Sequence, residues 1–497
     1  MTALRRRIVP GGPLALVLAL SSVLVATLAL APAPTGPGAS VVMAAAPVGP
    51  HRVVLVSIDG MAASYLARAD ELGLAIPNIR RLEREGTTAE AATSVLPSVT
   101  YPAHTTMISG VSPRRHGITA NNFLDPLDPG QMRGEGAFVF YEDIKAPTLF
   151  DAVRAKGGTS GAVWWPVSAG GPMDWNFPDL NAETIYEARL LLQFSSPEVR
   201  TLAGSPEALI GAGEDTRLDE LRTRIGVAFL RHRPRLLAVH LIALDTTSHV
   251  HGPYTPQALA ALEMDDRLLG NLLAAIQDAG LAGDTVVALT SDHGFLPCDR
   301  QVSLGVLFAA CGLLTADGQG KLASWAAYPW TDGGEAAIYL NPAAPAGTAA
   351  RVDRVLELLR ALPDYGVHRI YRGAEMERFG GHPGAYAVLD AEPGFVFASK
   401  VAGPVVSPSA LLGTHGHAPD RPELLASLVL RGPGIRAGAR IPRVRLLDVA
   451  PTLARILDVD LGGRGAARAP GASRTPSEGL EGRVLEEVFT HPGKTGV

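Results

Sequence analysis

The sequence predicts an α/β fold, a three-layer α/β/α sandwich around a mainly parallel sheet with a small inserted lobe. Three observations lead there. The runs "RVVLVSID" (52–59), "RLLAVHLIALD" (235–245) and "DTVVALTSD" (284–292) are short, apolar and bounded by polar residues, as strands buried in a parallel sheet are. Helical patterns separate them, namely "PNIRRLEREG" (77–86), "TLFDAVRAKG" (148–157) and "TPQALAALEMDDRLLGNLLAAIQDAG" (255–280), each ending in glycine as helix C-termini do. Each apolar run also closes on an aspartate: Asp59, Asp245 and Asp292. Alternating strands and helices build layers, and open parallel sheets bind ligands beyond the carboxyl ends of their strands. Three carboxylates therefore reach one edge.

Before the first strand, Arg5, Arg6 and Arg7 precede the apolar run "PLALVLALSSVLVATLALA" and the small residues of "APAP" and "MAAAP". This layout predicts a signal peptide and linker over 1–46, and an exported protein, periplasmic or secreted. The run approaches spanning length, so an uncleaved membrane anchor is the alternative; no stable span is expected after cleavage. From 341 to 400 the pattern changes to one helix, a short strand and the Gly/Pro-rich "FGGHPGAYAVLDAEPGF". That stretch is the expected lobe, leaving 47–340 and 401–497 as the main domain. "GGRGAARAPGASRTPSEG" (462–479) reads as an exposed loop.

Apolar residues make up 47% of the 497, and the net charge of −5 gives no basic footprint, which argues against duplex nucleic acid as partner. Cys298 and Cys311 are the only cysteines. They either close a short disulfide loop or remain two buried thiols. With no CxxC pattern, any metal site must use oxygen and imidazole.

Such donors are present. In "LDTTSHVHGP", Asp245 and His249 stand four apart and share a face if the chain turns helically. "SDHG" sets Asp292 beside His293, and "GTHGH" offers His415 and His417 between glycines. Singly, each pattern is an ordinary solvated pair. Jointly with Asp59 they suffice for two divalent metal ions, zinc by donor type, with manganese or iron as alternatives.

The stretch "SVLPSVTYPAHTTMISG" (94–110) supplies an alcohol. Pro102 suits the first turn of a helix, placing Thr100 at its N-terminus, where free amides favour an alkoxide and a phosphate. A threonine hydroxyl needs activation, and coordination to a metal provides it. The plainer reading makes Thr100 or Ser98 an N-cap.

The ordered series "SIDG", "PSVTYPAHTTMISG", "HGI", "DTTSH", "SDHG" and "THG" resembles the nucleotide pyrophosphatase/phosphodiesterase branch of the alkaline phosphatase superfamily, from about 52 to 457. The resemblance implies an alkaline phosphatase-like fold. It assigns Asp59, Thr100, Asp292 and His293 to a nucleophile-side ion, and Asp245, His249 and His415 to a substrate-side ion. It makes Thr100 the catalytic nucleophile and has Asn121, beside the Tyr101 amide, steady a phosphoryl oxygen. "VWWP" (163–166) looks like a family element near the substrate pocket, with Trp165 touching substrate. The chain departs from the family at Ala103, in "PAH" for "PNH", and at "DTTSH" for "DHAGH"; both changes bear on substrate choice. His417 is a supporting residue or an alternative ligand, His104 and His116 are structural, and His251 is a candidate for the pocket rim.

These readings imply hydrolysis of phosphate diesters or nucleotide pyrophosphates through a covalent phospho-threonine. Phosphomonoester hydrolysis would want an arginine fork, and Arg114 and Arg115 are its nearest candidates. Phosphonoacetate hydrolysis would want a cation for the carboxylate, with Lys145 as candidate. A silent exported metal-binding protein is the reading from another class.

Overall fold

The computed structural model describes residues 51–122, 138–210, 215–462 and 479–490. The signal peptide and linker expected over 1–46, and most of the loop expected over 462–479, lie outside them. Strands β1 (Arg52–Ile58), β2 (Thr87–Ala89), β3 (Ser160–Val163), β4 (Trp175–Phe177), β5 (Leu236–Leu241), β6 (Thr285–Thr290), β7 (Leu428–Arg431) and β8 (Ala439–Ile441) form one sheet. Their order is β8-β2-β7-β6-β1-β5-β3-β4. β1 runs parallel to β5 and β6, and β3 to β5 and β4. β8 is parallel to β2, and β7 alone opposes both its neighbours. The sheet is mainly parallel, and the three apolar runs form its centre.

Alternation along β1 divides the interior into two layers. Val53 and Leu55 face a core shared with helix α1 (Thr100–Ser109) and the helices Leu149–Ala155 and Val449–Leu457. Val54, Val56 and Ile58 face a second core with the helices Pro77–Glu85, Asp215–Leu230 and Pro256–Asp278. Burying each such aliphatic side chain contributes about 1.5–3 kcal/mol, so a charge at Val56, which is 0% exposed, would break the sheet's centre.

Between β6 and β7 the chain builds most of a third core, which Leu96 and Ala120 join from earlier in the chain. Its antiparallel sheet runs in the order Ala327–Asp332, Glu335–Leu340, Ala387–Ala391, Val367–Tyr371. The helix Thr348–Ala361 packs into the same core. The hairpin 327–340 belongs to this sheet, so the third core takes in chain on both sides of residue 341. A second small sheet centres on Leu296–Ser303, paired with Gly394–Ala398, Val406–Pro408 and Gly413–Thr414. Cys298 and Cys311 are free thiols, and Cys298 donates to the Leu411 carbonyl at 3.4 Å. Among the described residues no helix is long and apolar enough to cross a membrane.

Candidate active site

Asp59 follows β1 directly, and Asp292 follows β6 after Ser291. Asp245 sits in the first turn of helix α2 (Ala243–His251), which starts two residues after β5. All three carboxyls thus lie at one edge of the central strands, and all are buried. Gly60 makes the turn after Asp59 with φ of 72°, and a Cβ there would meet Phe295 at 2.7 Å. That turn lets the Gly60 amide donate to Asp292 Oδ1 at 3.2 Å.

Helix α2 carries Asp245 and His249 on one face, with His249 Nε2 3.6 Å from Asp245 Oδ2. His415 approaches from the returning chain, its Nε2 3.7 Å from Asp245 Oδ1. The Nδ1 atoms fix both rings: His249 Nδ1 donates to Gly413 O at 3.0 Å, and His415 Nδ1 to Ser98 O at 3.2 Å. A neutral imidazole with its proton on Nδ1 keeps a lone pair on Nε2. The two Nε2 atoms nevertheless face each other at 3.1 Å. Two lone pairs so placed beside a carboxylate are a donor set for a cation, and the carbonyl-anchored Nδ1–H is how metal-binding histidines are oriented.

His293 Nε2 lies 3.0 Å from Asp292 Oδ2 and 3.5 Å from Asp59 Oδ1, neither aligned as a hydrogen bond. Asp59 Oδ1, Asp245 Oδ1 and Asp292 Oδ2 are all buried and without a hydrogen-bond partner among the described residues. Buried acceptors left this way call for an ion or a proton. Two groups, Asp245–His249–His415 and Asp59–Asp245–His293, have ligand atoms within 4.8 Å of one another. They share Asp245, and the His293 and His415 rings stack between them with centroids 3.8 Å apart. The donor set fits two divalent cations.

Electrostatics agrees. Burial, then the charges of Asp292 and Asp245, push the Asp59 carboxyl well above the usual carboxylate range. Burial also raises Asp245, against His249 and His293. Burial would raise Asp292 too, but the neighbouring His293 charge more than offsets it and holds that carboxyl low. Two carboxylates about 4 Å apart repel by about 4 kcal/mol even at an effective dielectric of 20; positive charge between them removes that cost.

Thr100 opens α1 with Val99 at the N-cap position, so the threonine is not itself the cap. Its neighbours tie it to the acids. Two residues earlier, the Ser98 carbonyl accepts from His415; one turn later, His104 Nδ1 lies 3.7 Å from Asp292 Oδ2. The adjoining Tyr101 amide donates to Asn121 Oδ1 at 2.9 Å, which brings Asn121 to the same helix end.

Trp165 lies in the interior beside the acids. It is 0% exposed and meets the His104 ring edge-on at 4.9 Å. Aromatic bulk favoured burial over solvent. His417 is also buried, its ring over Gly334, where a Cβ would come within 2.1 Å. His116 is buried and shares a 3.0 Å hydrogen bond with Thr106 Oγ1, while His251 is exposed at the end of α2. Arg114 lies 3.7 Å from Glu377, Arg115 donates to Gly479 O, and Lys145 donates to Glu142 O. One residue escaped the sequence reading. His240, within β5, contacts Asp59 Oδ2 at 2.9 Å; a lone histidine in an apolar run was the available signal.

Comparison with known proteins places this geometry. Residues 53–417 match the type I phosphodiesterase/nucleotide pyrophosphatase family, and the chain belongs to that family. It is 28% identical to venom phosphodiesterase 2 of Crotalus adamanteus over 268 residues, covering 50% of this chain and 27% of the relative. Ectonucleotide pyrophosphatase/phosphodiesterase family member 1 of Mus musculus is 26% identical over 255 residues, 48% of this chain and 24% of the relative. The chain thus spans about a quarter of the length of these curated relatives. Among solved structures, human ectonucleotide pyrophosphatase/phosphodiesterase 5 superposes with a TM-score of 0.59 at 20% identity, covering 82% of this chain and 95% of that one. The murine counterpart, an inactive variant in complex with AMP, gives 0.59 at 21% identity over 83% and 96%. These two share the fold, an alkaline phosphatase-like α/β architecture.

Proposed function

We propose that this protein is an exported phosphodiesterase or nucleotide pyrophosphatase that holds two divalent cations, zinc by donor type, and uses Thr100 as nucleophile. The observation that carries the reading is the pair of Nε2 lone pairs on His249 and His415 facing each other beside Asp245. Family membership and the AMP bound to the murine structural neighbour support a nucleotide or related diester as substrate class. Export rests on the N-terminal pattern and on relatives named as venom and ecto-enzymes.

Asp59, Asp292 and His293 would hold one ion beside Thr100; Asp245, His249 and His415 would hold the other. Bound there, the ions supply Lewis acidity that lowers the hydroxyl pKa and takes up phosphoryl charge. Thr100 Oγ1 attacks phosphorus in line, its bond to phosphorus forms, and the bond to the leaving oxygen breaks. Asn121, whose Oδ1 accepts from the Tyr101 amide and whose Nδ2 is a donor, would meet the charge that develops on the remaining oxygens. Water then attacks the phospho-threonine and returns the Thr100 hydroxyl, so two inversions give net retention. The nearest candidates for an arginine fork are engaged elsewhere, Arg114 with Glu377 and Arg115 with Gly479 O and Glu481, which favours diesters over terminal phosphates.

The test is zinc content of the purified chain, with rates on bis(4-nitrophenyl) phosphate, 4-nitrophenyl phosphate and phosphonoacetate. About two zinc ions per chain and faster diester hydrolysis are expected. Preference for the monoester, or acetate release, would replace the substrate class. No bound metal and no hydrolysis would leave a silent binding protein.

A further inference from the structure

Beneath the acids lie two more imidazoles, His104 and His240, with ring centroids 4.1 Å apart. With Asp59 they are close enough to suggest a third cation group. Their nitrogens are already engaged. His104 Nδ1 donates to Thr100 O at 2.8 Å, and Nε2 accepts from Ser57 Oγ at 2.9 Å. His240 Nδ1 donates to the Trp164 carbonyl at 3.0 Å, and Nε2 meets Asp59 Oδ2 at 2.9 Å. His240 Nδ1 gives its proton to the Trp164 carbonyl, so the 2.9 Å contact of Nε2 with Asp59 Oδ2 holds a further proton shared between the two, which fills the place an ion would take.

We infer that His240 is a positioning residue for Asp59, holding Oδ2 so that Oδ1 alone is presented to the nucleophile-side cation. The "VWWP" segment is the seat that holds His240. The inference rests on the two-cation reading above. Asp59 Oδ1 is the oxygen without a hydrogen-bond partner, and it is the one 3.5 Å from His293 Nε2.

The seat is built for the task. Trp164 adopts φ of 53°, a left-handed conformation uncommon in bulky residues. Its amide donates to Phe177 O at 2.6 Å, and the Arg222 guanidinium stacks over its indole at 4.3 Å. Held from both sides, its carbonyl is fixed for His240 Nδ1. Trp165, the next residue, braces His104. The two tryptophans thus serve the two buried histidines. Supporting partners of this kind typically set metal affinity by 10–100-fold.

The experiment uses the full chain loaded with zinc, competed against a chelator, with kcat and KM on bis(4-nitrophenyl) phosphate. His240→Leu should bind one zinc ion about 10–100-fold more weakly, keep the other, and lose kcat with little change in KM. His240→Gln, which retains an N–H donor near the Nε2 position, should recover most of the affinity. His240→Asn, which can still donate to Trp164 O but is too short for Asp59, should not. A folded His240→Leu with both wild-type zinc affinities overturns the inference. If His240→Leu does not fold, equal zinc affinities in the Gln and Asn variants overturn it, and a Gln variant clearly tighter than Asn sustains it. Wild-type chain that binds no zinc overturns the two-cation reading itself, a result distinct from failure of the variants alone.

Discussion

Asp219 caps the helix that carries Asp245: its Oδ2 accepts from the Ala243 amide at 2.7 Å and from Ile242 at 2.9 Å. Its other oxygen receives Arg222 Nη1 at 2.6 Å, and both side chains are buried. Asp219→Ala frees two amides and leaves the buried Arg222 guanidinium with Asp215 alone, at 3.0 Å. Losing one of two buried carboxylate partners costs about 1–3 kcal/mol. The expected result is a clear drop in the urea midpoint and weaker zinc binding through a loosened α2, read by denaturation and metal analysis.

Thr100→Ala should lower diester turnover by about 10³-fold or more while leaving zinc content near wild type, because the imidazoles and carboxylates remain. Rates and metal content on the same sample check both halves. Near-wild-type turnover would remove the covalent step.

Chelator treatment should abolish hydrolysis and lower thermal stability, and zinc should restore both. At free zinc 100-fold above Kd, binding adds about 2.7 kcal/mol to the folded state. A melting temperature indifferent to zinc would show that the acids do not bind it.

Burial pushes the His116 imidazole from its ordinary 6.5 down to about 3. The folded value is depressed, so the unfolded chain takes up this proton first. Its contribution to stability is present above pH 6.5 and is lost as pH falls toward 3, at about 1.4 kcal/mol per pH unit. Unfolding free energies between pH 4 and 7 should show His116→Asn with a slope shallower by about one proton. Parallel slopes would contradict the assignment.

The central strands were legible because buried parallel strands are continuous apolar runs, and β1, β5 and β6 follow those runs closely. Asp245 and His249 could be paired from spacing, since one helix carries both. That His415 joins them across 166 residues is tertiary, and only order along the chain hinted at it. The burial of Trp165 was not legible, because a Trp–Trp–Pro run reads equally as pocket wall or as core. The hairpin before residue 341 pairs with strands after it, a long-range choice that local composition does not encode.

The third core opens just after Asp292 and His293 and closes around His415 before β7 rejoins the sheet. A ribosome must therefore deliver most of the chain before Asp245 meets its last imidazole neighbour, His415. Nicking the excursion by protease should silence the enzyme even where the eight strands hold. Activity is thus a report on the whole chain having folded.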